Sequence, residues 1–250
     1  MTTIESVPAN APTLPQEAAV PRPRRASIRR FATPGVVIPA LVITLWLVVI
    51  LFAPLIAPYG PTEQTSGRLE APSLWHLLGT DALGRDVFSR VLYGAQISIP
   101  VAALTIVLAV VVGGVIGAIA GYFGGWIDAI LMRVGDITLA FPSMLLAMAV
   151  AAALGPGLTN AFIAIVVVWW PIYARLVRGQ ILSIKEREHV LAARAIGMGR
   201  LKILRKHILP HAASPVIVSA TMDLGMIIIL IASLSFLGLG IQPPNPSWGA

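Results

Sequence analysis

Apolar residues in this chain gather into long uncharged runs, and the charged residues are largely confined to the stretches between them. A helix needs about 20 apolar residues to cross the hydrocarbon layer of a bilayer, so runs of that length predict membrane-spanning helices. Gly35 to Ala57 is 23 residues without a charge and predicts the first span, 35–57. Val101 to Ala120 predicts the second. Gly113, Gly117 and Gly121 recur there every fourth residue and lie on one helix face. Such a face lets helix backbones approach closely in lipid, although glycine is also simply frequent in membrane helices. Met144 to Leu154 is too short to span alone, so a third span is expected from about Ile137 to Gly155-Pro156-Gly157. Asn160 to Leu176 and Ala212 to Leu237 supply spans four and five, and no sixth apolar run precedes Ala250.

The segments between the runs have their own signatures. Residues 1–34 are rich in Pro, Ala and Thr, carry clustered arginines and lack apolar periodicity, which reads as a disordered tail. A secretory signal has an apolar region of about 7–15 residues, so the longer first run is expected to be a retained anchor. Residues 58–92 form an external amphipathic segment, in which Thr80 or Asp81 is expected to cap a short helix. Asp81 with Arg85, and Asp86 with Arg90, have the i,i+4 spacing of helical ion pairs. Gly124-Gly125 ends span two, and Asp128, Arg133 and Asp136 then predict a short charged turn before Phe141-Pro142. Residues 93–250 constitute the transmembrane domain.

Composition turns these runs into a class. At 57% hydrophobic and 12% charged, with a mean hydropathy of +0.85, the chain is an integral membrane protein, since soluble domains average about 25% charged residues. The net charge of +7 is uneven: five arginines, Arg22, Arg24, Arg25, Arg29 and Arg30, precede the first run. Nine of the 18 Lys and Arg residues fall between Arg175 and Pro210. This distribution points to membrane orientation, not nucleic-acid binding. With a cytoplasmic N-terminus, 15 of the 18 basic residues lie inside. The absence of cysteine excludes disulfides and thiolate metal sites. His76, His189, His207 and His211 show no ligand spacing and are expected to be surface or interface residues.

Candidate chemistry is sparse. There is no G-x-x-x-x-G-K-[ST], no G-x-S-x-G and no paired His and carboxylate, so neither an enzyme nor a bound cofactor is expected. An energy-consuming function would need its nucleotide site on another polypeptide, and the basic loop is the place to meet one. Within that loop, 178–210, a helix is expected over Lys185 to Ile196 with Gly197 as its stop, then a second helix from about Arg200 until Pro210 prevents continuation. Ala193, one turn before Gly197, offers a small-residue face to a partner's groove, with Arg194 and Arg200 at its rim. The competing reading is a helical hairpin lying on anionic lipid. Asp223 stands near the middle of span five, where an unpaired carboxylate must face protein, water or a cation. It is either pathway-lining or a carboxyl bonded to Ser219, Thr221 or a partner subunit.

Several blocks resemble the inner-membrane permease subunits of ATP-binding-cassette importers, in the dipeptide/oligopeptide/nickel branch. They are Leu78-Gly79-Thr80-Asp81-Ala82-Leu83-Gly84-Arg85-Asp86 through Arg90, Gly124 to Asp128 with Arg133, Asp136 and Ala140-Phe141-Pro142, Leu191-Ala192-Ala193-Arg194-Ala195-Ile196-Gly197 through Leu209-Pro210, and Leu234 to Gly240 through Ser247-Trp248-Gly249. The resemblance implies an all-α polytopic bundle of the MetI-like permease fold, lacking its last helix. It also implies that the 178–210 loop is a coupling helix inserted into an ATPase subunit. Expected partners are a second permease subunit in a heterodimer, two ATPase subunits holding ATP and Mg, an external substrate-binding protein and membrane lipid. The setting is the inner (plasma) membrane, and the cargo a di- or oligopeptide or a nickel complex. Leu191 stands where the family's coupling motif usually has Glu, and Glu188 is a candidate substitute. A truncated inactive subunit is a further alternative. An autonomous secondary transporter would show several intramembrane ionisable groups and internal repeats, which the chain lacks.

Overall fold

The computed structural model describes residues 33–249, and among them the chain forms eight α-helices, one π-helical turn and no strand beyond two isolated bridges. It divides between Ile43 and Thr44 into two units, and the second holds the helix packing. The expected tail, 1–34, falls outside the described residues except for Thr33 and Pro34. Pro34 opens α1 (Pro34–Ile56), within a residue of the expected first span. Inside α1, Pro54 has no N–H to give the Ile50 carbonyl, and Gln96 supplies the missing donor from 2.7 Å.

Helix α2 (Val87–Phe123) is 37 residues, far longer than the expected 101–120. Ser89, Arg90, Gln96 and Ser98 interrupt its apolarity without interrupting its hydrogen bonding, and the extra turns carry it about 25 Å beyond the length of the predicted run. Asp86 caps it by accepting from the Ser89 amide at 2.7 Å. The anticipated short helix capped by Thr80 or Asp81 is absent. Residues 80–86 are tight turns, and Gly79 and Gly84 sit at φ +75 and +74 where a Cβ would meet the backbone oxygens of Glu70 and Ser66.

The charged turn after Gly124-Gly125 is instead a helix, α3 (Gly125–Leu139), and the third span does not begin at Ile137. A break at Ala140–Pro142 separates α3 from α4 (Ser143–Leu154), with a 92° bend between them. At 12 residues α4 is only about 18 Å long, so α3 and α4 cross as a broken pair or form a re-entrant element. By length and composition the described residues hold four membrane-crossing helices, or five if the bent pair is one.

Helix α5 (Leu158–Ile184) runs eight residues past the expected end of span four and carries Arg175 and Arg178 on its own surface. The stretch 175–210 is therefore not one loop. The expected loop helix over 185–196 is shorter, α6 (Glu188–Ala195), because Lys185 caps α5 and a tight turn follows. Pro210 does not stop the second helix. α7 (Arg200–Ile203) passes through a π-helical turn, Leu204–Ile208, into α8 (Leu209–Phe236), and Pro210 lies in α8's first turn, where a missing N–H costs little.

The most extensive helix pair is α2 with α5, and glycine makes it. A Cβ on Gly113 would stand 2.8 Å from the Tyr173 Cβ and 2.9 Å from the Ala174 nitrogen, and one on Gly117 2.9 Å from the Ala174 carbonyl carbon. The glycine face is a packing surface. Beyond α8 the chain folds back: the Trp248 indole donates to the Val91 carbonyl at 3.0 Å and meets Trp46 edge-on at 5.1 Å, while Gly249 lies against Ala232.

Candidate functional site

The block from Gly79 to Arg90 forms one hydrogen-bonded knot. Asp81 accepts from the amides of Leu83 and Arg85 at 2.8 and 3.0 Å and from the Arg85 guanidinium at 2.7 Å, and Arg90 turns to the same carboxylate at 3.6 Å. Asp86 pairs with His76 at 3.0 Å while capping α2, so the expected Asp86–Arg90 pairing gives way to a His76–Asp86 pair. His76 is buried and stacked on Tyr59 with ring centroids 5.0 Å apart, a correction to its expected place on the surface. Burial pushes the Asp86 carboxyl up, but the Ser89 and His76 hydrogen bonds outweigh it and hold the group below the usual carboxylate range. Thr80 donates to the Gly67 carbonyl and accepts from the Glu70 amide at 2.7 and 2.9 Å, which closes the knot.

Two ion pairs fasten α3 to α5. Arg178 grips Asp128 through two bonds of 2.5 and 2.6 Å, and Arg175 reaches Asp136 at 2.5 Å. The partners are 50 and 39 residues apart. Arg133 lies on α3 in the same helix without a place in either pair.

Between α5 and α8, helix α6 projects an exposed ridge of Leu191, Ala192, Arg194, Ala195 and Ile196, the last 79% exposed. Ala193, expected to face a partner, is buried with Val190, Ile203 and Ile208 in the chain's own core. It seats α6, and its neighbours form the outer surface. Gly197 ends α6 at φ +80 as expected. Arg200 opens α7, and its carbonyl accepts from the Tyr122 hydroxyl at 3.1 Å, tying the end of α2 to this region. A cleft of about 650 Å³ runs between them, walled by Phe123, Leu191, Arg194, Met198 and Arg200. Glu188 lies exposed in the first turn of α6, and Leu209-Pro210 opens α8. His189, His207 and His211 cluster here: the His189 ring centroid lies 6.2 Å from that of His207 and 5.3 Å from that of His211.

Asp223 is half-buried on α8 and accepts a 2.8 Å hydrogen bond from the Tyr173 hydroxyl of α5. The predicted intrachain partners are not used: Thr221 donates to the Val218 carbonyl at 2.7 Å. Tyr173 is fully buried against Gly113, so the glycine face also fixes where its hydroxyl stands.

Residues 113–250 match the family model of the binding-protein-dependent transport system inner membrane component. The chain belongs to that family. It is 44% identical over 210 residues to the dipeptide transport system permease protein DppC of Alkalihalophilus pseudofirmus, covering 84% of this chain and 69% of the relative. It is 50% identical over 213 residues to the glutathione transport system permease protein GsiD of Shigella flexneri serotype 5b, covering 84% and 70%. The same protein of Escherichia coli O6:K15:H31 is 47% identical over the same coverage. The chain is thus a helical, multi-pass inner-membrane component of a binding-protein-dependent transport system.

Within this permease family member, the α6 ridge, the glycine face and Asp223 all lie inside the matched region, while the Gly79–Arg90 knot precedes it. Sequence reasoning finds both sides of the Asp81–Arg85 pair, which forms at 2.7 Å, but only one side of the Tyr173–Asp223 contact, and it does not join Asp128 to Arg178. Tyr173 stands in an apolar run, and its signal is no more than a hydroxyl among aliphatic residues. Arg178 reads as part of a basic loop, although its spacing from Arg175 places the two on the same face of a continuing helix.

Proposed function

We propose that this chain forms half of the membrane pathway of an ATP-driven importer for short peptides, dipeptides or glutathione, and couples it to separate ATPase subunits. The names of the relatives support the cargo, and the paucity of ionisable groups along the spanning helices supports a passive pathway driven from outside the chain. The observation that carries the coupling is the α6 ridge: exposed Leu191 and Ile196 beside Ala192, Arg194 and Arg200, on a short helix seated by buried Val190 and Ala193. A ridge that is apolar at its crest and basic at its rim suits a groove in a protein partner. The concentration of Lys and Arg around α5 to α7 favours a cytoplasmic position for it, and with it a cytoplasmic N-terminus. ATP-driven closure of two ATPase subunits would move the paired permeases as rigid bodies between outward- and inward-facing states, with an external binding protein delivering cargo.

Because the chain has no cysteine, Ala192→Cys provides a single reactive site on the ridge. Cross-linking in native membranes should join it to an ATPase subunit, and the purified assembly in lipid should hydrolyse ATP faster when cargo-loaded binding protein is added. A thiol that reacts only with lipid-phase reagents in the Ala192→Cys variant, in membranes where no ATPase co-purifies, would remove the coupling role.

A further inference from the structure

The Asp223 carboxylate has one hydrogen bond and no cation. Among the described residues no Lys, Arg or His lies within ion-pair distance of it, and Tyr173 provides its single bond, at 2.8 Å. It sits 14 residues into the 28-residue α8, at the depth where an unpaired charge is most costly, between the exposed side chains of Met222 and Met226. Trp169 lies one turn before Tyr173 on α5 and is 93% buried. The α2 glycine face presses on this stretch of α5 and fixes Tyr173 with backbone contacts, so the acceptor is held in place before any ligand arrives.

We propose that Asp223, oriented by Tyr173, receives the ammonium group of the peptide in transit. This rests on the permease reading and sharpens its cargo to peptides with a free amino group. Dipeptides and glutathione each carry one. A half-buried carboxylate offers a charge-assisted bond to an ammonium ion in a medium where water competes weakly, and the exposed Met222 and Met226 beside it give the peptide's apolar atoms an adaptable wall. Tyr173 positions the carboxylate and leaves its second oxygen unbonded within the chain.

The test uses the purified permease–ATPase assembly in lipid nanodiscs, without binding protein, and two probes: alanyl-alanine amide and its N-acetyl derivative. Tryptophan emission reports binding, since Trp169 and Trp170 adjoin the site. The free-amine probe should bind, the acetylated probe should bind at least about tenfold more weakly, and Asp223→Asn should abolish the difference between them, in keeping with the worth of a charged hydrogen bond. Asp223→Glu should restore part of the preference, and Tyr173→Phe should reduce it while leaving a preference. Equal affinity of the wild type for both probes overturns the proposal, and so does a preference that survives in Asp223→Asn. Failure to obtain any ATPase-containing assembly would strike the permease reading instead, and amine binding by the chain alone would then still decide the site.

Discussion

Replacing Gly113 by alanine tests the packing that the rest of the molecule depends on. Alanine is favoured over glycine inside a helix by about 0.5–1 kcal/mol, so by local propensity the variant gains stability. The added methyl would stand 2.8 Å from the Tyr173 Cβ and 2.9 Å from the Ala174 nitrogen. Carbon atoms pack at about 3.5–4.0 Å, so α2 and α5 have to part by roughly 1 Å. Overpacking of this kind costs about 1–3 kcal/mol, and here the obstacle includes backbone that cannot rotate away. The net expectation is a loss of about 1–2 kcal/mol, or a fall of roughly 2–8 °C in apparent melting temperature for a chain of this size. Gly114→Ala is the control one residue along, where a Cβ meets only the Val177 Cγ2 at 4.0 Å, and it should leave the melting temperature equal or higher. Tryptophan emission of the detergent-solubilised chain, heated at one fixed scan rate, measures both. If Gly113→Ala melts at or above Gly114→Ala, the glycine face is not what sets the distance between α2 and α5.

The other expectations are briefer. The Asp86 carboxyl is held below its ordinary value near 3.8, so its contribution is complete above that value and disappears as the pH falls through the lower folded one; the protection of amides across residues 58–86 relative to their intrinsic exchange rates should hold from pH 7 to 5 and fall below about 4. Asp86→Asn should lower this protection above about pH 4 and converge on the wild type below it, and a wild-type protection that does not change with pH would refute the assignment. Arg178→Asp and Asp128→Arg should each lower thermal stability and the double exchange should recover part of it, with a coupling of about 0.5–3 kcal/mol; strictly additive losses would show that the pair does not hold α3 to α5. Leu191→Glu changes an exposed side chain and should leave both stability and transport within about twofold, whereas a large loss of transport would mean that the ridge meets its partner differently from the family's motif.

Hydrophobic run length and the spacing of glycines are local properties, and the first span, the glycine face and the Gly197 stop could be read from them directly. The same local reading erred where a helix continues through polar residues: Ser89 to Pro100 hid the start of α2, and Arg175 and Arg178 looked like loop because charge is a poor sign of where hydrogen bonding ends. Pro210 misled for the opposite reason, since a proline stops a helix in its interior and is harmless in a first turn. What only the tertiary structure decided is the rotation and register of one helix against another. Those fix whether Ala193 faces core or partner, whether Asp86 takes His76 or Arg90, and whether Asp223 meets Tyr173 from 50 residues away. In lipid, apolar surface alone does not select among rotations, because lipid and helix are equally apolar; close backbone contact at Gly113 and Gly117 does. The sequence by itself determined the four long apolar helices, α1, α2, α5 and α8, and the packing of α2 on α5 determined which polar atoms find each other between them.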